Sequence, residues 1–252
     1  MVTKKLTNLI LLVFIVAVGV LSSCKKDKGE DKTQGNPLGV KDKGEFKDNR
    51  DNKIYKWIKI GNQIWMAENL AYTGNDIQHI TNATDWENNS NNKGWCYYDN
   101  NTNNNTYGAL YQWNAAKIAC PKGWHLPTAK EWTQLEDFLK NNGYSYDGIN
   151  GNVEIAKSLA TDHSWAASSY QGAVGNSDFV DFQNKTGFSA LPSGFRDYDG
   201  SFHAITKTGY WWSSSINDNL NAYGRYIDYE DSEVSSLSNK MLNGFAVRCI
   251  KN

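Results

Sequence analysis

Short apolar runs alternate with polar segments along the chain, and the first of these runs predict a β-hairpin. Apolar and aromatic residues dominate 54–60 and 63–66. The Gly61–Asn62 pair between them suits a two-residue turn, so the two runs are expected to pair. The following segment, 74–106, is rich in asparagine and threonine and is predicted to form long loops around a short strand at 95–98.

Three helices are predicted in the middle of the chain. Apolar residues between 107 and 118 recur at the spacing of one helical stripe. Thr128 and Glu131 fit a capping box, which starts a second helix that is expected to end at Asn142. A third, short helix is predicted over 152–160.

From residue 179 onward the chain consists of short β-type runs separated by turn residues. The expected strands are 188–192, 210–214, 223–229 and 244–250. Because helices come early and strands come late, the predicted fold class is α+β rather than alternating α/β units. Trp211 and Trp212 must point to opposite faces of their strand, and both are expected to lie in the core.

The N-terminal segment is typical of an export signal. Two lysines precede an apolar stretch over 6–21, which is at the short end for a membrane-spanning helix. Residues 21–24 read LSSC, which is similar to the lipobox of bacterial lipoproteins, where acyl chains are attached to the cysteine. We therefore expect a signal peptide over 1–23 and lipidation of Cys24, with an uncleaved N-terminal membrane helix as the alternative.

A polar segment of mixed charge follows Cys24. Residues 24–45 combine charged residues, glycine and proline without apolar periodicity, and this composition predicts a solvated tether. The folded domain is expected to span 46–252.

Composition and charge limit which partners, nucleic acid or membrane, the chain is expected to contact. The chain has 26 Lys and Arg residues against 27 Asp and Glu residues, and its formal net charge is −1, so no basic excess points to nucleic acid. A mean hydropathy of −0.63, with a single long apolar run, excludes a multi-span membrane protein. The expected contact with a membrane is the lipid anchor alone.

Five motifs, in order along the chain, carry a resemblance to a known family. They are 61–70 (GNQIWMAENL), 107–113 (YGALYQW) leading to 120–128 (CPKGWHLPT), 188–192 (FSALP), 210–215 (YWWSSS) and 244–249 (GFAVRC). Together they resemble the Fibrobacter succinogenes major paralogous domain, a family of bacterial surface lipoproteins, across roughly residues 46–252. The family has no well-defined biochemical function, so the resemblance implies little about activity.

More distantly, the same motifs resemble the C-type-lectin-like fold shared by formylglycine-generating enzymes. This resemblance implies paired N- and C-terminal strands and two to three helices packed on a small twisted antiparallel sheet with long irregular loops. It also implies a disulfide between Cys120 and Cys249, which closes a loop of ~130 residues and would stabilise the domain by about 4–5 kcal/mol. Many family members have a partner for Cys96 where this chain reads NNNT at 103–106. Cys96 is then expected to be a buried free thiol, with a Cys96–Cys120 pair as the alternative.

The sequence carries no recognisable catalytic motif. A formylglycine-type oxidase needs two neighbouring cysteines near the C-terminal strands, and this chain lacks them. The four histidines show no metal-ligand spacing, and no nucleophile-elbow, Walker or dinucleotide pattern is present. These histidines are His79, His125, His163 and His203. We expect no enzyme, cofactor or metal centre, and His125 is interpreted as a hydrogen-bonded structural imidazole.

The loop 196–201 (RDYDGS) is the most suggestive segment for ligand chemistry. Asp197 and Asp199 are spaced as in a calcium loop, but no glutamate lies between Asp199 and Glu230 to supply the bidentate ligand. A hairpin turn is therefore favoured, with a calcium site as the alternative.

Three tyrosines in loop or strand-edge contexts are candidates for stacking on sugar rings. The predicted ligand-binding residues are Tyr170, Asp197, Tyr198, Asp199 and Tyr223. The predicted function is a non-catalytic binding or adhesion module for a glycan or a surface protein, with recognition by loops between 143 and 206. The expected location is the cell envelope, anchored at the outer membrane and surface-exposed. A structural or accessory subunit without its own ligand is the first alternative. An enzyme, either a hydrolase or a modifying enzyme, is the second and less favoured one.

Overall fold

The computed structural model describes residues 42–252. The predicted signal peptide, the lipidation site at Cys24 and most of the predicted tether lie outside the described residues. Within 42–252, no helix is both long enough and apolar enough to cross a bilayer.

Strands dominate the described part of the chain, and the helices are few and mostly short. The elements are β1 (Lys43–Lys47), β2 (Ile54–Ile60), β3 (Gln63–Met66), β4 (Gln78–His79), α1 (Ala83–Glu87), β5 (Gly94–Cys96), β6 (Leu110–Tyr111), α2 (Trp113–Ala119), β7 (Trp124–His125), α3 (Ala129–Asn141), α4 (Ala156–Leu159), β8 (Ser193–Arg196), β9 (Phe202–Ile205), β10 (Thr208–Ile216), β11 (Asn221–Asp228), β12 (Ser235–Lys240) and β13 (Ile250–Lys251). Short 3₁₀ turns lie at Tyr98–Asn100, Thr102–Tyr107 and Val180–Phe182. This mixed architecture confirms the α+β class.

The first sheet joins the two ends of the domain. Its strand order is β1-β2-β3-β13-β7, and Ile250 of β13 pairs with both Trp65 and His125. The predicted hairpin of β2 and β3 is confirmed. Gly61 in its turn has a φ of +59°, a conformation that glycine adopts at little cost.

The second sheet has the order β12-β11-β10-β8-β9. The predicted strands at 210–214 and 223–229 correspond to β10 and β11. The predicted strand at 188–192 is wrong, because the left-handed Ser189 (φ +57°) interrupts the extended backbone and the strand begins only at Ser193. The predicted strand at 244–250 makes mostly isolated bridges instead, since this buried segment passes between Tyr111 and Trp211.

The helix whose start is marked by a capping box was predicted correctly. The helix predicted only from the spacing of apolar residues was not. The capping box of α3 is confirmed, with Glu131 N donating to Thr128 Oγ1 at 3.1 Å and Thr128 N donating to Glu131 Oε2 at 2.7 Å. The predicted helix over 107–118 is wrong in its first half. Gly108 has a φ of +83°, so the backbone turns there and α2 begins only at Trp113. The third helix, α4, is shorter than predicted.

The core is divided between the two faces of β10. Trp211 is 1% exposed and packs near Trp132 of α3, with ring centroids 6.4 Å apart. Trp212 is fully buried on the other face and lies 4.3 Å from Phe245 between centroids. The expectation that both indoles are core residues on opposite faces is confirmed.

One disulfide ties the end of α2 to the segment before β13. Cys120 and Cys249 are bonded across a sequence separation of 129 residues, as the resemblance implied. Cys96 is a buried free thiol, so the alternative Cys96–Cys120 pair is wrong. Burial raises the pKa of the Cys96 thiol to about 12, and this effect outweighs the opposing charge and hydrogen bond of Arg196.

Candidate functional site

Four of the five motifs meet at one buried asparagine. Asn69 Oδ1 accepts hydrogen bonds from Trp211 Nε1 at 2.9 Å and from Arg248 Nε and Nη2 at 3.1 and 2.9 Å. Asn69 Nδ2 donates to the carbonyl oxygen of Tyr107 at 2.9 Å. These residues come from distant parts of the chain, so the cluster fixes the relative positions of several segments.

Arg248 completes this cluster and brings in the remaining motif. Its side chain is fully buried, and it donates to the carbonyl oxygens of Met66, Phe188 and Ser189. Burial lowers the pKa of Arg248 to about 9, and this effect outweighs the opposing charge of Glu68. The motifs that carry the family resemblance therefore build the interior.

His125 also has a structural role. Its Nδ1 lies 2.6 Å from Asn252 Oδ1, and its Nε2 lies 2.9 Å from Glu131 Oε1. Both ring nitrogens have partners, which confirms the interpretation as a hydrogen-bonded structural imidazole. Partial burial raises the pKa of Glu131, but the hydrogen bonds from Thr128 and His125 outweigh it and the pKa is lowered.

We expect Glu131→Gln to reduce the free energy of unfolding by about 1 kcal/mol at neutral pH, because glutamine keeps the cap geometry but loses the charge at the helix N-terminus. A carboxyl with a lowered folded-state pKa stabilises above its unfolded pKa, and this contribution is lost as the pH falls through the folded-state pKa. Urea unfolding at neutral and acidic pH checks this. The difference in the free energy of unfolding between wild type and variant should disappear at acidic pH. A difference that persists there would contradict a stabilising role for the charged Glu131 carboxylate.

The loop 196–201 is the tight turn between β8 and β9, as favoured from the sequence. Asp197 N donates to Ser201 O at 2.8 Å, and Ser201 N donates to Asp199 Oδ1 at 2.9 Å. Gly200 has a φ of +88° and lies against Ala83. Within 42–252, no three His, Cys, Asp or Glu side chains are grouped so as to hold a metal ion.

This turn also brings a serine and a histidine into contact. Ser201 Oγ lies 2.8 Å from His203 Nε2, but it also donates to Asp199 Oδ1 at 2.5 Å. A serine nucleophile requires the carboxylate on the far ring nitrogen, where it orients the imidazole. Here both partners contact the hydroxyl itself, so the arrangement is that of a hydrogen-bonded turn.

The predicted stacking tyrosines are not brought together into one site. Tyr198 borders a cavity of about 440 Å³ with Leu220 and Lys240, but Lys240 Nζ lies 3.1 Å from the ring centroid and covers one of its faces. The Tyr223 hydroxyl donates to Asn217 Oδ1 at 2.7 Å. Tyr170 is 62% exposed on a separate loop.

A different feature of the surface is extended and polar. Three cavities of about 520, 500 and 460 Å³ adjoin one another. The first and second share Lys56, Ala67 and Ser189, and the second and third share Thr161 and His163. We call this row of cavities the groove.

The end of the groove nearest β1 and β2 carries mixed charge. Lys43, Glu45 and Trp57 line its first cavity, and Lys53 and Glu68 line the second. Glu68 Oε2 accepts a hydrogen bond from the backbone nitrogen of Lys56 at 2.8 Å. Among the described residues, Lys53 and Lys56 form no ion pair, although Lys53 Nζ lies 5.2 Å from the centroid of the Tyr55 ring.

The third cavity combines an indole with polar groups. Trp165, Asp162, His163 and Gln183 line it. Asp162 Oδ1 lies 2.7 Å from His163 Nδ1, and this hydrogen bond lowers the pKa of Asp162. Gln183 Nε2 donates to the carbonyl oxygens of Ala160 and Thr161, so the wall of the cavity is held by hydrogen bonds.

A buried lysine supports the loop behind this third cavity. The Lys157 side chain is fully buried, and Nζ donates to Asn176 O at 2.6 Å and to Asp178 O at 3.0 Å. It also lies 3.2 Å from Asp178 Oδ1. Burial lowers the pKa of Lys157, and this effect outweighs the hydrogen bond and charge of Asp178.

Sequence reasoning identified the region of the groove only in part. The expected recognition loops, 143–206, do supply the third cavity, but none of the five predicted ligand residues lines the groove. The groove residues come from separate segments near 43–57, 67–69, 105–106 and 161–191. No local pattern signals such a set, because only the fold brings the segments together.

The comparison with protein families agrees with the motifs. The model described as Fibrobacter succinogenes major domain matches residues 58–251, a span that contains all five motifs and most of the chain. The curated proteins and the solved structures gave no match. The chain therefore belongs to the Fibrobacter succinogenes major domain family.

Proposed function

We propose that this chain is a non-catalytic module of the bacterial cell envelope that holds a linear oligosaccharide along the groove. The observation that supports this proposal is the continuity of the three cavities, since a row of adjoining sites suits a chain of repeating units. Lipidated Cys24 would anchor the module at the outer membrane, because several acyl chains on one residue give stable membrane attachment. The tether over 24–45 would hold the domain away from the bilayer.

The chemistry of the groove favours a carbohydrate. Sugar hydroxyls both donate and accept hydrogen bonds, so they fit the carboxylates, amides and hydroxyls along the walls. The Trp165 ring offers an apolar face beside those polar groups, as is common in ligand sites with a few fixed polar contacts. Lys53 and Lys56 lie with Glu68 at the middle of the groove, so this stretch offers both charged donors and a charged acceptor to sugar hydroxyls.

A finer description of the fold belongs to the same proposal. We infer a C-type-lectin-like arrangement from the motif resemblance, and two features support it. The N-terminal strands pair with the C-terminal strand β13, and long irregular stretches connect α3 to β8. Such loops on a rigid scaffold are frequent sites of recognition.

The proposed binding of a glycan in the groove is tested by replacing the exposed, hydrogen-bonded side chains of Asp162 and His163. A glycan array probed with the full chain identifies a ligand, and calorimetric titration then compares wild type with the double variant Asp162→Ala/His163→Ala. We expect affinity to fall about tenfold, which corresponds to about 1.4 kcal/mol of lost polar contacts. Both side chains are largely exposed, so the fold should be unaffected.

Tyr198→Ala is the matched control, since Tyr198 lies at the turn outside the groove. It should bind as wild type does. Loss of binding in Tyr198→Ala, with none in the double variant, would place the ligand at the turn and contradict the groove assignment. A folded chain that binds no glycan would contradict the proposed function and favour an accessory subunit without its own ligand.

A further inference from the structure

Two loops next to the groove expose an apolar surface. We define the loop patch as Tyr146, Ile149, Phe179 and Val180. Ile149 and Val180 are 60% and 69% exposed, and the rings of Tyr146 and Phe179 lie 4.7 Å apart between centroids. Clustered exposed apolar side chains of this kind are typical of interaction sites, whereas scattered ones need no explanation.

The backbone at the centre of the loop patch is strained. Phe179 has a φ of +47° and a ψ of +43°, a left-handed conformation that is unfavourable for a bulky side chain. The preceding residues are fixed by buried Lys157, which hydrogen-bonds the carbonyl oxygens of Asn176 and Asp178. Strain that a scaffold maintains is frequent at functional sites. The scaffold therefore holds the Phe179 ring in place at the surface.

Carboxylates surround the loop patch. Asp147 accepts a hydrogen bond from Ile149 N at 3.0 Å, and Asp178 and Asp181 flank Phe179 and Val180 in the chain. Partial desolvation raises the pKa of the Tyr146 hydroxyl, and the charges of Glu154, Asp147 and Asp178 raise it further.

A second acidic loop extends this negative surface. Ser232 Oγ donates to Glu154 Oε1 at 3.3 Å, and Tyr146 N donates to Glu154 O at 3.1 Å, so the segment 228–233 connects through Glu154 to the loop that carries Tyr146. Its carboxylates are Asp228, Glu230, Asp231 and Glu233. The nearby cations are fewer. Lys157 is buried against Asp178, and Lys185 lies over the Phe182 ring at 3.8 Å. Lys207 lies beside the second acidic loop, with its Nζ 5.8 Å from the centroid of the Tyr229 ring.

We propose that the loop patch docks a cationic polypeptide segment in which lysine or arginine side chains flank apolar ones. Apolar side chains of the partner would contact Phe179 and Ile149, and its cations would face the surrounding carboxylates. The same negative charge repels anionic lipid headgroups and a second copy of this surface, so charge complementarity favours a basic partner. This docking site adjoins the groove, because Val180 and Asp178 line its third cavity. Phe179 and Ile149, which carry the proposed contacts, line none of the three cavities.

The test uses the full chain in mild detergent and two synthetic peptides. One is built from lysine, leucine and phenylalanine, and the other replaces every lysine with glutamate. Fluorescence anisotropy should give saturable binding of the lysine peptide, at least about tenfold tighter than the glutamate peptide and weakened by added salt. Phe179→Gly/Ile149→Ser should weaken that binding about tenfold. Glycine tolerates the backbone at 179, so this variant is expected to fold.

Ile54→Ser is the matched control, because Ile54 is 57% exposed, follows Lys53 in the chain and pairs with Lys47 of β1. It should leave peptide affinity unchanged, as should the groove variant Asp162→Ala/His163→Ala. Equal binding of the two peptides, or equal loss in Ile54→Ser, would overturn the proposal. So would a patch variant that binds the peptide normally but loses self-association, or loses binding to vesicles of phosphatidylethanolamine and phosphatidylglycerol.

Discussion

Replacing Asn69 with alanine is expected to lower the free energy of unfolding by about 3–5 kcal/mol, because each buried polar group left unpaired costs about 1–3 kcal/mol and a charged one costs more. Asn69 Oδ1 accepts from both Trp211 and Arg248. Without it, the buried indole N–H of Trp211 and part of the buried Arg248 guanidinium lose their acceptor. The amide that holds the Tyr107 carbonyl is lost as well.

Urea unfolding, followed by tryptophan fluorescence, measures this effect. Asn219→Ala is the matched control, since Asn219 is exposed and its loss should change stability by no more than about 0.5 kcal/mol. If Asn69→Ala and Asn219→Ala unfold at the same denaturant concentration, the asparagine cluster does not organise the interior.

The double variant Cys120→Ser/Cys249→Ser is expected to have a free energy of unfolding about 4–5 kcal/mol below that of wild type. The reason is that the bond closes a very long loop and restricts the unfolded chain. The bond also joins the end of α2 to the segment just before β13, so its loss removes a covalent link between these two parts of the domain. Unfolding under non-reducing conditions compares the two proteins.

A reducing agent provides the control for the disulfide. It should bring wild type down to the stability of the double variant and leave the variant itself unchanged. If the free energy of unfolding falls by well under 1 kcal/mol, the buried contacts of the 244–250 segment are sufficient to hold it in place without the bond.

Local signals in the sequence predicted those elements whose cause is local. The hairpin at Gly61 needs a positive φ between two apolar runs, and the start of α3 needs Thr128 and Glu131 three residues apart. Both were predicted correctly, because a few neighbouring residues determine the backbone there. The disulfide and the family followed from resemblance, since motif order along the chain identifies them.

Periodicity alone was less reliable where the segment is buried on all sides. Residues 107–118 have helical spacing, yet Leu110 and Tyr111 form a strand that pairs with β5. Residues 188–192 have strand-like composition, but their carbonyl groups at 188 and 189 accept from Arg248 and the backbone departs from an extended form. Tertiary contacts decide such segments, because burial satisfies an apolar pattern in either conformation.

By itself, the sequence determined the α+β class, the family, the capped helix and the hairpin. The hairpin and the helix start depend on neighbouring residues, and the class and family follow from the order of elements and motifs along the chain. Only the tertiary structure placed Asn69 against Arg248, aligned three cavities into the groove and exposed Phe179 among carboxylates. Those features depend on side chains from distant segments, and their positions follow from packing and hydrogen bonding across the whole domain.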